Sequence, residues 1–196
     1  MILSATLMLP TGPLDLEVAA GEAAVLDGPA AGAAIAALAG TDGRRDHRIH
    51  VGGRDLGRLP THARVRRGLG LVIDAAVAGD VSVRDHLAAV VGGRRADAML
   101  DCAPLLAGRG NDPAGVLSGG ERRMLAWLRC LATDPEAVVL DRAGAGLDLP
   151  TGDWAAATVR RWRQAGVAVI VRPATPRERR WVEPTDATET RTVEEP

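Results

Sequence analysis

Short apolar runs of strand length alternate with longer amphipathic stretches along most of this chain. Residues 14–18 alternate apolar and polar, the two-residue period of a half-buried strand. Gly21-Glu22 turns the chain, and residues 23–26 read as a short, fully buried strand. A glycine-containing loop follows over 28–32, then a stretch of high helix propensity over 33–39 that stops at Gly40. Residues 41–60 are polar and turn-rich, with a strand candidate at 49–51. Thr61 is placed to cap a short helix through Arg67, ended by Gly68, and residues 69–73 form another buried strand candidate. Ser82 and Asp85 resemble a capping box opening a helix to Val91, which Gly92-Gly93 ends. A further helix is predicted over 96–107, interrupted at Pro104.

The second half is more regular. A helix is predicted over 119–132, closed by a turn at Asp134-Pro135, and residues 137–140 read as a fully buried strand. Residues 153–164 are amphipathic, with Trp154, Thr158, Arg161 and Trp162 at helical spacing; Gly166 ends that helix and 167–171 form a last core strand. The first ten residues are apolar but short and carry no basic leader, so they predict a strand rather than a signal peptide. Residues 183–196 are acidic and rich in Thr and Pro, which predicts a disordered tail. Strands alternating with helices imply an α/β fold with a mainly parallel sheet in one domain over 1–182. The helices between about 82 and 116 lie together without a strand and predict a small helical lobe.

Composition narrows the function classes. A net charge of −1 gives no reason to expect nucleic acid as a partner. No apolar run approaches the ~20 residues of a membrane span, so direct membrane insertion is not expected. All 24 basic residues are arginine, and there is no lysine. Cys102 and Cys130 fall inside predicted helices without metal-ligand spacing and read as reduced and buried. His47, His50, His62 and His86 show no ligand spacing either and read as surface residues. The only aromatics, Trp127, Trp154, Trp162 and Trp181, read as core or interface residues.

One segment carries chemistry. Leu117-Ser118-Gly119-Gly120-Glu121 stands before an Arg-rich apolar helix, followed by Val138-Val139-Leu140-Asp141 and then Leu147-Asp148. Ser118 to Glu121 fits S-x-x-E, a capping box with a purely structural explanation. The same helix end, with two glycines that let backbone approach an anion, also suits a terminal phosphate. The whole run from Leu117 to Asp148 resembles the ATP-binding cassette (ABC) ATPases: signature loop, following helix, Walker B strand and D-loop. The resemblance covers roughly residues 14–176. It implies a P-loop NTPase-like fold, a head-to-tail dimer with ATP between one subunit's P-loop and the other's signature loop, and a membrane permease as partner. The arginine- and glycine-rich stretch 53–70 is similar, more weakly, to the branched-chain amino-acid uptake subgroup.

The resemblance also exposes departures. It places the P-loop at Gly28-Pro29-Ala30-Ala31-Gly32-Ala33-Ala34, where three residues rather than four separate the glycines and two alanines replace the lysine and the hydroxyl. The metal-binding aspartate of the Walker B strand corresponds to Asp141, but the general-base glutamate that should follow is Arg142, which cannot accept a proton. Arg142 could instead pair with Asp141 or a phosphate, or be a solvated residue. The switch histidine position falls at Val171-Arg172-Pro173, so Pro173 is a second degenerate catalytic position. Asp74 lies near the Q-loop glutamine and is a loose Mg²⁺ candidate beside Asp141; Asp148 is the expected dimer contact.

These features imply a catalytically degenerate ABC subunit, cytoplasmic and peripheral to the inner membrane face. It would lend residues 117–121 in trans to ATP and Mg²⁺ shared with an active ATPase partner in a heterodimer. The alternative from another class is a nucleotide-free pseudo-ATPase scaffold or regulator. A conventional ATPase using arginine for lysine is disfavoured by the Ala-rich loop.

Overall fold

The computed structural model describes residues 1–73, 77–183 and the backbone of 190–193. Two sheets build it. β1 (Leu3–Leu9), β2 (Gly12–Val18), β4 (Arg48–Val51) and β5 (Arg54–Asp55) form an antiparallel sheet in the order β2-β1-β4-β5. β3 (Ala23–Leu26), β6 (Leu69–Val72), β7 (Ala137–Asp141), β8 (Ala168–Arg172) and β9 (Thr190–Val193) form a parallel sheet in the order β6-β7-β8-β3-β9. The α/β class and mainly parallel sheet are as the alternation of elements predicts.

The parallel strands are buried on both faces, and their residues divide by parity between two cores. Val138, Leu140, Val169 and Val171 join the cluster that includes Met124, Trp127 and Trp162. Ala137, Val139, Ala168 and Ile170 join the cluster beneath the antiparallel sheet, with Leu3, Leu7, Ile49 and Ile35. The period-two geometry of a strand demands this split, and it explains the continuous apolar runs. α1 (Ala31–Ala39) lies between the two sheets, so its alanines suit a tight space as well as a helix.

On the other face sit α5 (Gly119–Ala132) and α6 (Leu149–Gln164), gathered around Trp127. Its ring stacks on Trp162 with centroids 5.6 Å apart and meets Trp154 and Trp181 edge-on, at 5.8 and 6.0 Å. Trp127, Trp162 and Trp181 are therefore core residues, and Trp154 packs half-buried against them. α3 (Val83–Val91) and α4 (Gly93–Asp101) pack together with no strand between them.

Several local expectations need correction. Gly92 ends α3 at φ +79° and also opens α4, which therefore starts at Gly93 and stops before Pro104. α2 (Thr61–Val65) has Pro60 at its N-cap; the Thr61 hydroxyl turns instead to the Gly40 carbonyl, 3.5 Å away. α6 begins at Leu149 because Asp148 caps it and Pro150 fits its first turn. Where the sequence predicts only a disordered tail, residues 190–193 pair in parallel with β3. Three of those four residues are β-branched, as strands prefer.

His47 is buried rather than on the surface. Its Nδ1 accepts from the Met8 amide at 3.1 Å, which leaves Nε2 to donate to Asp42 Oδ2 at 2.7 Å. Cys130 is buried, but Cys102 is exposed at the end of α4. Among the described residues no helix is long and apolar enough to cross a membrane.

Candidate nucleotide-type site

Two candidate ends emerge from this scaffold. The first lies at the C-terminal ends of the parallel strands, where ligand sites of such sheets gather. A cleft of about 330 Å³ opens there, lined by Leu26, Asp27, Gly28, Ala31, Arg142, Arg172, Pro173 and Ala174. β3 delivers the loop containing Gly28 and Pro29. Ala30 then opens α1 without a side-chain cap, and Gly32, Ala33 and Ala34 follow inside the helix. Helix N-termini carry unpaired amides, so this end has a positive pole. No side chain from Gly28 to Ala34 adds a cation or a hydroxyl.

The cation comes from elsewhere. Asp141 ends β7, Arg172 ends β8, and the parallel register sets them side by side. Arg172 donates from Nε to Asp141 Oδ1 at 2.6 Å and from Nη2 to Oδ2 at 3.1 Å, the two-pronged geometry of a strong arginine–carboxylate pair. Its third nitrogen faces the glycine loop: a Cβ built on Gly32 would lie 2.6 Å from Nη1. Arg172 thus spans from the β7 carboxylate to the start of α1. This arrangement does not fit a magnesium ion at Asp141, because both carboxylate oxygens are already engaged by a positive group.

Arg142, the position offered by sequence as a partner for Asp141, does not make that pair. It is exposed, its φ is +50°, and its amide donates to the Arg172 carbonyl at 2.8 Å. Its side chain does line the cleft beside Pro173. Asp74 lies outside the described residues. Asp27, at the cleft rim, pairs with Arg179 from α7 (Pro176–Arg179). Sequence reasoning passed over Arg172, although a signal existed. The first polar residues after the buried runs Val138-Val139-Leu140 and Val169-Ile170-Val171 must emerge together at the same sheet edge.

The second end is the start of α5. Leu117 is buried and anchors the loop, while Ser118 and Gly119 are exposed. The full capping box is present: the Glu121 amide donates to Ser118 Oγ at 3.3 Å, and the Ser118 amide donates to Glu121 Oε2 at 2.7 Å. That bond from the Ser118 amide is the main reason the Glu121 carboxyl lies below its ordinary pKa, and Arg109, paired to its other oxygen, adds to it. A Cβ on Gly119 would meet nothing within 4 Å, whereas one on Gly120 would come 3.3 Å from the Gly146 carbonyl. The loop therefore presents open backbone on one side and packs on the other against the segment leading to Asp148. Asp148 is exposed and accepts from the Thr151 amide at 2.9 Å, while its carbonyl faces Arg177.

A glycine loop between a central parallel strand and its helix, an aspartate ending the neighbouring strand, and a capped Ser-Gly-Gly helix start define the nucleoside-triphosphatase type of α/β domain. Comparison with known proteins makes the class specific. The chain is 33% identical over 132 residues to an uncharacterized ABC transporter ATP-binding protein of Rhizobium meliloti (strain 1021), spanning 63% of this chain and 49% of that protein. It is 33% identical over 129 residues to the lipopolysaccharide export system ATP-binding protein LptB of Escherichia coli (strain K12), spanning 60% of this chain and 53% of that one. With the sulfate/thiosulfate import ATP-binding protein CysA of Mycobacterium bovis it shares 30% identity over 161 residues, 76% of this chain and 45% of that protein. The chain thus spans about half the length of the curated relatives it matches. Among solved structures, an ATP-binding subunit of an ABC transporter superposes with a TM-score of 0.77 at 15% identity, covering 92% of this chain and 83% of that chain. No family model matches. Sequence relatives and fold together support an ATP-binding cassette ATPase subunit.

Proposed function

We propose that this chain is an ATP-binding-type subunit of an ABC transporter that has lost its own nucleotide chemistry and serves ATP held by another subunit. The observation that carries the reading is a contrast between its two ends. The start of α5 retains the Ser-Gly-Gly-Glu sequence, a complete capping box and an open approach over Gly119. The loop at Gly28 has no lysine or hydroxyl, and Arg172 holds the carboxylate of Asp141. In a head-to-tail dimer the first end would face the partner's ATP, with Asp148 near the same interface, and the second would be a dead site. Hydrolysis would reside wholly in the partner, and a membrane permease would complete the assembly at the inner membrane face. Magnesium would enter with the partner's nucleotide.

The competing reading, a nucleotide-free scaffold, draws on the capping box, which by itself accounts for Ser118 and Glu121. One experiment separates the two. The chain is co-purified with a complete ABC ATPase subunit from the same organism, and ATP hydrolysis is compared for the wild type and Gly119→Asp. Open space around Gly119, and a negative charge in the first helical turn, leave the chain's own fold intact. Loss of hydrolysis in the mutant complex supports presentation in trans; an unchanged rate refutes it and leaves the scaffold.

A further inference from the structure

We propose that Arg172 is the resident cation of this site: it holds the place on Asp141 that a divalent metal takes in the family, and so bars metal from the chain's own cleft. The inference concerns this chain alone and stands apart from the trans reading of the signature loop.

Four observations carry it. Asp141 is the carboxylate that the resemblance assigns to Mg²⁺, and both of its oxygens accept from one guanidinium, at 2.6 and 3.1 Å. Magnesium demands near-octahedral oxygen ligation and uses carboxylates that are free to turn to it. An arginine pair fixes the carboxylate plane and adds positive charge beside the position a metal would need. The pair is mostly shielded, with 15% of the Asp141 side chain and 29% of the Arg172 side chain exposed, so water screens it weakly. The placement is also built in, because the register of β7 and β8 sets Asp141 opposite Arg172, and the Arg142 amide bonds the Arg172 carbonyl at the same edge. Finally, Nη1 lies over Gly32, where any β-carbon would collide with it. One side chain thereby stands at both positions from which the family draws positive charge, the metal site and the start of the P-loop helix.

The hydroxyl that would complete a metal site is missing as well, since Ala33 and Ala34 follow Gly32. Among the described residues, the pocket that holds Asp141 and Arg172 is otherwise lined by Arg123, Arg142 and Ala145, which add two more cations, while Asp27 across the cleft is paired with Arg179.

The test uses Mn²⁺ as the probe, with water-proton relaxation reporting its binding to the purified full chain. Wild type and Asp141→Asn are expected to give superimposable titrations, since the carboxylate is closed to metal in the wild type and absent from the variant. Arg172→Ala is expected to gain a weak, saturable Mn²⁺ site that is lost again in the Arg172→Ala/Asp141→Asn double variant. Saturable binding by the wild type that Asp141→Asn removes would overturn the proposal, as would an Arg172→Ala variant that folds and gains nothing. The wild-type comparison keeps the test decisive if Arg172→Ala fails to fold.

Discussion

Ser118 is claimed by two explanations at once, helix cap and phosphate contact, and two substitutions pull them apart. Ser118→Ala removes the hydroxyl that accepts from the Glu121 amide at 3.3 Å. The reciprocal bond, from the Ser118 amide to Glu121, survives because it uses backbone. Loss of an N-cap side chain costs about 1 kcal/mol. A domain of this size shifts its melting temperature by about 2–4 °C for each kcal/mol. Ser118→Asp keeps a cap acceptor of equal quality and adds a negative charge at the positive pole of α5. That charge stands close to Glu121, whose repulsion is offset by Arg109, already paired to Glu121. The expected melting temperature of Ser118→Asp is therefore close to wild type, while Ser118→Ala falls by a few degrees.

The functional order is the reverse. A hydroxyl donating to a phosphate oxygen is a charge-assisted bond worth about 1.5–3 kcal/mol. Its loss in Ser118→Ala lowers turnover of the partner's ATP by about 10–100-fold, at 1.36 kcal/mol per decade. Ser118→Asp adds like-charge repulsion against the triphosphate and lowers it further, although its own fold is sound. Thermal melts of the chain alone and ATP hydrolysis by the complex measure the two scales. A complex in which Ser118→Asp hydrolyses ATP normally, while Ser118→Ala melts low, would show that the serine is only a cap and refute presentation in trans.

Two further predictions concern the scaffold. Arg64 is buried and donates to the carbonyls of Ala37, Leu38, Gly57 and Leu59, closing the end of α1; Arg64→Met orphans all four acceptors. The expected cost is about 3 kcal/mol, or a fall of about 6–12 °C on melting, and a fall under about 2 °C would refute the cap. Glu178 is buried with Oε1 unpartnered, and burial raises its carboxyl above the ordinary pKa, against the Ala174 amide that donates to Oε2. A raised folded-state pKa gives stability below the unfolded pKa that is lost as pH rises, so Glu178→Gln should stabilise the chain at neutral pH and lose its advantage near pH ~4. Denaturation curves that stay parallel across that range would refute this.

The readable parts of the sequence were those in which one local rule suffices. Residues 137–140 and 167–171 had to be buried strands because continuous β-branched apolar runs have no other comfortable place in an α/β domain. Gly119–Ala132 was readable to the residue because its cap and its apolar stripe agree. The errors arose where a side chain answers to a distant partner. His47 looks like any polar loop residue until Met8 and Asp42 close around it, across 39 and 5 positions of sequence. β9 depends on the open edge of β3, which composition cannot reveal, so the acidic surroundings of 190–193 dominated its reading. Arg64, read as part of an Arg/Gly-rich stretch, closes a helix over 20 residues upstream.

The candidate site divides in the same way. The start of α5 was legible as a capped helix end because its motif, Ser118 to Glu121, is local in sequence. The cleft was legible only in what it lacks. Arg142 adjoins Asp141 in sequence and lines the same cleft, but at φ +50° its backbone has left the strand's register and it does not pair with Asp141. The residue beside Asp141 in a parallel sheet is its register partner on the next strand, which is Arg172. That rule turns a missing lysine and a missing histidine into one positive statement. A single arginine, at the strand end where the family places its switch histidine, bridges the carboxylate of β7 and the first turn of α1. In the proposed reading, that arginine takes the place on Asp141 that family members give to a metal ion.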